Sequence, residues 1–153
     1  MDITQYTASL ESIYALSLHR INQFFSRRSS LTQHDCDKAA EKLTGSRVYP
    51  SAVQGVASYT VWSLPVTTAD GIQQPRRAIQ FCESELSPIN FKTAWRTYGS
   101  RFVPECRSHG MVSDVHVYEM DHVPGVAFSQ ARRQLLAAEM EPRLMQTVRD
   151  FAQ

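Results

Sequence analysis

Apolar residues recur at intervals of three and four through Leu10, Ile13, Tyr14, Leu18, Ile21, Phe24 and Phe25. This predicts a helix over 7–25, of about four or five turns, with one apolar stripe. Arg27-Arg28-Ser29-Ser30 ends it. Thr32 is placed to cap a second helix, with Asp35 in its first turn, Ala39, Ala40 and Leu43 on one face and Gly45 as the stop. The pattern then changes to β-formers. Val48-Tyr49-Pro50 and Ala52-Val53-Gln54 read as a short extended piece that pairs with 58–64 around a turn at Gly55-Val56-Ala57. Residues 67–75, with Asp70-Gly71 and Pro75, read as an exposed connection. In 77–82, Ile79 and Phe81 share the face expected to meet the core, and Ala78, Gln80 and Cys82 share the other.

Ser87-Pro88 opens a third helix whose stripe is Phe91, Ala94, Trp95 and Tyr98, closed by Gly99. Residues 101–111 read as a connection. Val115, Val117 and Glu119 then alternate with His116, Tyr118 and Met120, a strand that Pro124-Gly125 cuts short. From 129 to 153 the helical period returns through Leu135, Leu136, Met140, Leu144, Met145, Val148 and Phe151, with Pro142 as a kink or a boundary. The order predicts an α+β fold: a small antiparallel sheet of about five strands, two N-terminal helices, one inserted helix packed on the sheet, and a C-terminal helical segment. One domain is expected over 1–153, divided into helices (1–46), sheet with inserted helix (47–126) and the helical segment (127–153).

Composition narrows the picture mainly by exclusion. Hydrophobic residues make up 42% and charged residues 20% of the 153, which excludes a disordered or fibrous chain. Sixteen Lys+Arg against 15 Asp+Glu leave +1, and the basic doublets (Arg27-Arg28, Arg76-Arg77, Arg132-Arg133) are scattered, so no nucleic-acid partner is expected. There is no basic leader and no apolar run near the roughly 18 residues needed to span a bilayer, so no membrane partner and a cytoplasmic location are expected. Three cysteines, Cys36, Cys82 and Cys106, are too few and too irregular for a disulfide framework. Cys106 and His109, with Cys82, have ligand-like spacing, but no fourth ligand is placed and no metal is assigned.

Five separated pieces, in order, carry a resemblance: Val53-Gln54-Gly55 with Ser58-Tyr59-Thr60-Val61; Ile79-Gln80-Phe81; Tyr98-Gly99; Val103-Pro104; and Val117-Tyr118-Glu119-Met120 with Pro124-Gly125. From about Tyr6 to its end the chain resembles the small lobe of fungal phosphotransferase-like proteins related to aminoglycoside phosphotransferases, which have a kinase-like fold. The resemblance implies that 55–58 is a turn over phosphates, 78–82 the strand that carries a basic residue, 88–98 the helix behind it, and 120–123 a purine-contacting hinge. The implied nucleotide- or ligand-binding set is Gln54, Gly55, Ser58, Gln80, Cys82, Met120, Asp121 and Val123, with backbone groups of Asp121 and Val123 on the purine. Two charges that such chemistry uses are replaced: Cys82 stands where Lys or Arg is expected, and 88–98 contains no Asp or Glu. The catalytic loop and magnesium-binding aspartate of a large lobe are expected to lie beyond this stretch.

The leading expectation is therefore a catalytically incomplete, pseudokinase-type binding or assembly module. Weak or no nucleotide binding is expected, with no resident cofactor and ATP with magnesium disfavoured. Its partner is expected to be a small molecule, a protein, or a second copy docked through the helix at 129–153. A rival reading makes the chain a small biosynthetic enzyme, an isomerase or cyclase, with His116 and Tyr118 on one strand face as an acid–base pair. A third makes it the first part of an active small-molecule phosphotransferase.

Overall fold

The computed structural model describes residues 4–67, 70–100 and 102–122, and positions 142, 145, 146 and 149. The chain divides into two compact units, Met1–Val123 and Pro124–Gln153. In the second unit the four described positions are helical. The expected hinge residue Val123 and most of the expected helix at 129–153 lie outside the described residues.

The first unit is α+β. Helices α1 (Thr4–Ser26) and α2 (Gln33–Thr44) precede β1 (Val48–Pro50), β2 (Ser58–Ser63), β3 (Val66–Thr67), β4 (Gln73–Gln74) and β5 (Arg77–Cys82). Helix α3 (Pro88–Tyr98), β6 (Cys106–Val112) and β7 (Val115–Asp121) follow. Five strands form one antiparallel sheet in the order β1-β2-β5-β7-β6, while β3 and β4 make a two-stranded ribbon within the expected connection. Helix α2 is held as its sequence indicates. Thr32 and Asp35 form a reciprocal capping box, and Gly45 closes the helix at φ 67°.

The two helices cover one sheet face. Ile21, Phe24, Leu31, Cys36 and Ala40 pack with Tyr59, Val61, Ile79, Phe81, Val115 and Val117. Phe25 meets the Tyr59 ring edge-on at 5.0 Å, and Tyr59 stacks on Phe81 at 6.1 Å. The Tyr59 hydroxyl donates to Asp37 Oδ1 at 2.7 Å and accepts from Gln33 Nε2 at 3.0 Å, fastening α2 to the sheet. Arg28, at the end of α1, donates to the Phe24 carbonyl, lies over the Phe24 ring, and pairs with Glu83 at 3.0 Å.

Four sequence expectations need correction. Residues 52–54 are not a strand, because Gln54 bonds back to the chain instead of laddering. Residues 106–112, expected as a connection, form edge strand β6, exposed along most of its length and bulged between Ser108 and Met111, so it shows no alternation. Helix α3 forms where expected but has no buried residue, and its Trp95 and Tyr98 are exposed. The apolar stripe of α1 is also incomplete, since Tyr14 and Leu18 face solvent.

Candidate functional site

The register places the residues singled out in the sequence in three cross-strand rows on the sheet face opposite the helical core. Ser58 stands beside Cys82 and His116; Thr60 beside Gln80 and Tyr118; Trp62 beside Ala78, Met120 and Cys106. Ser58, Gln80, Cys82, His116, Tyr118 and Met120 thus share one surface, the consequence of period-2 strands paired in register. Asp121 ends β7 on the other side of the pleat, exposed.

Gln80, Ser58 and Tyr118 on this surface are already paired. Gln80 Nε2 donates to Ser58 Oγ at 3.1 Å. The Gln54 side chain donates to the carbonyls of Ser51 (3.0 Å) and Thr60 (2.8 Å) and accepts from the Thr60 N–H (2.9 Å), so it buttresses the β1–β2 connection. At Gly55 a Cβ would lie 2.5 Å from Ser58 Oγ, so a larger residue there must turn the Ser58 hydroxyl aside. The Tyr118 hydroxyl accepts from the Leu86 N–H at 2.9 Å. His116 and Tyr118 lie nearly parallel with ring centroids 6.5 Å apart, and no hydrogen bond is described between them. The His122 ring meets Trp62 edge-on at 5.2 Å.

Cys82 brings no charge to this face. Cys82 is buried, and desolvation, assisted by nearby Cys106, pushes its thiol up to about 11. It is a neutral thiol at physiological pH. Burial likewise pushes Cys106 up and Cys36 up to about 12. Among the described residues no group of three or more His, Cys, Asp or Glu is placed to hold a metal ion, and no helix is long and apolar enough to cross a membrane.

Two features were not legible in the sequence. Glu119, 4% exposed, lies with Arg77 Nη1 at 2.8 Å, His109 Nε2 at 2.7 Å and Arg107 Nη1 at 3.8 Å. Glu119 thus engages His109, one of the residues considered for a metal. The second is a pocket of about 320 Å³ between α3 and the start of β6, lined by Phe91, Lys92, Trp95, Arg96, Pro104, Glu105 and Cys106. Only the helical spacing of Phe91 and Trp95 hinted at it.

Compared with known proteins, the chain matches no family model, no curated protein and no solved structure.

Proposed function

We propose that this chain is a kinase-like small lobe that works as a binding module and does not handle phosphate. The kinase-like part is supported by the five antiparallel strands in the order β1-β2-β5-β7-β6, with α3 inserted between β5 and β6. The observation that carries the functional part is Cys82. On the strand where that resemblance implies a cation there is a buried, protonated thiol, and α3 offers no carboxylate to pair with one. Phosphoryl transfer depends on positioning and charge neutralisation, so this arrangement lowers the rate by orders of magnitude. Gln80 and Ser58 are committed to one another and Tyr118 to backbone, consistent with a structural face.

A binding role is supported by what the fold leaves outside. Tyr14, Leu16 and Leu18 on α1, and Ile89, Trp95 and Tyr98 on α3, are large apolar side chains exposed on two helices. Incubation with γ-labelled ATP, magnesium and a panel of hydroxyl and amine acceptors tests the reading. It predicts no labelled acceptor and no ADP above the protein-free control; stoichiometric or catalytic transfer contradicts it.

A further inference from the structure

We infer that the pocket between α3 and β6 is a binding site for a small amphipathic anion, an aromatic body bearing a carboxylate. Only Cys106 is shared with the sheet face described above, and the inference does not depend on the kinase-like reading.

Helix α3 presents two adjacent rails, each with the four-residue spacing that puts side chains on one face. Phe91 and Trp95 form an aromatic rail, and Lys92 and Arg96 a cationic one. Pro104 and the half-buried Cys106 thiol close the opposite wall with apolar surface. A volume of about 320 Å³ lies at the small end of ligand pockets, the size of a fused ring system with a short side chain.

Electrostatics select the sign of the ligand. Glu105, the one acidic residue of the lining, is paired with Arg107. Neither Lys92 nor Arg96 has an ion-pair partner among the described residues. Two uncommitted cations beside an exposed aromatic surface favour a ligand that covers Trp95, 46% exposed, and places an anionic group at the cationic rail.

The test uses 1-naphthylacetate and its neutral counterpart 1-naphthylacetamide, followed by amide and indole chemical shifts of the full chain. The acid is expected to saturate with a Kd between about 0.1 and 1 mM, shifting the Trp95 indole N–H and the amides of Phe91 and Cys106. The amide is expected to bind about tenfold more weakly, and added salt to erode that difference. The double variant Lys92→Gln/Arg96→Gln changes two exposed residues and leaves the fold intact. It should weaken the acid about tenfold and leave the amide unchanged. Equal affinity for acid and amide, an unaltered response in the double variant, or no saturable shift at these residues overturns the proposal. So does saturation by an acidic aromatic heptapeptide with no response to the naphthyl acid, which would mark a peptide groove.

Discussion

The hydroxyl of Tyr118, in the middle of the sheet, accepts a hydrogen bond from the backbone N–H of Leu86 at 2.9 Å and so fixes the path of the chain from β5 to α3. Tyr118→Phe keeps the ring and removes the acceptor. It should cost about 1 kcal/mol in urea unfolding and speed hydrogen exchange at the Leu86 amide. Unchanged stability with unchanged exchange would show that the hydroxyl has no structural duty and would reopen its candidacy as an acid or base.

Arg28 ties three parts of the chain together. Its Nη2 lies 3.0 Å from Glu83, and its Nε lies 3.4 Å from Asp114 at an angle too poor for a hydrogen bond, while the side chain is only 7% exposed. The buried partner is the cation, so removing its carboxylates should hurt more than removing the cation itself. Glu83→Gln/Asp114→Asn is expected to lose about 2–4 kcal/mol in denaturant unfolding, and Arg28→Met less, about 1–2 kcal/mol. The reverse order would refute this reading of the cluster.

Asp37 gives the fold a pH signature. Burial raises its carboxyl above the ordinary 3.8, against the hydrogen bonds from Tyr59 and Gln33 that lower it. With the folded value above the unfolded one, the folded state holds the proton longer. Stability from this group is therefore fully present below 3.8 and lost as pH rises through the raised value. Asp37→Asn keeps an acceptor for the Tyr59 hydroxyl without the charge. The variant should gain on the wild type as pH climbs from below 3.8 toward neutrality; parallel stability curves would contradict the assignment.

The thiols should differ sharply in reactivity. Cys36 and Cys82 are buried with thiols pushed up to about 12 and about 11, while Cys106 is half-buried at the pocket wall. Iodoacetamide near neutral pH is expected to modify Cys106 first, the other two reacting only on unfolding. Mass mapping that finds Cys82 labelled first would contradict its burial.

Much of the architecture was legible because local signals agree with the global fold. The Thr32–Asp35 box, Gly45, the alternation in 77–82 and 115–120, and Ser87-Pro88 each mark an element that forms. Strand β6 escaped because Arg107, Ser108, His109 and Gly110 lie exposed on an edge, where no buried face imposes alternation. For α3, the period of Phe91, Ala94, Trp95 and Tyr98 establishes a helix but not what covers it. The sharing of one strand face by Gln80 and Cys82, and of another by His116, Tyr118 and Met120, followed from parity of position, whereas their meeting with Ser58 on one surface needs the register. That Gln80 bonds Ser58, or that Tyr118 reaches Leu86, depends on register and loop path, which no local pattern encodes. The Glu119 cluster likewise needs the pairing of β5, β6 and β7 before Arg77, Arg107 and His109 converge.

The central claim is that the face around Cys82 gives nothing to phosphate. It is tested most directly by calorimetric titration of the Lys92→Gln/Arg96→Gln chain, which lacks the cations of the α3 pocket, with adenosine and, separately, with ATP and magnesium. The account predicts either no heat from both or the same weak affinity for both, because the triphosphate meets no fixed positive charge on the face around Cys82. ATP with magnesium binding about tenfold or more tightly than adenosine would contradict it.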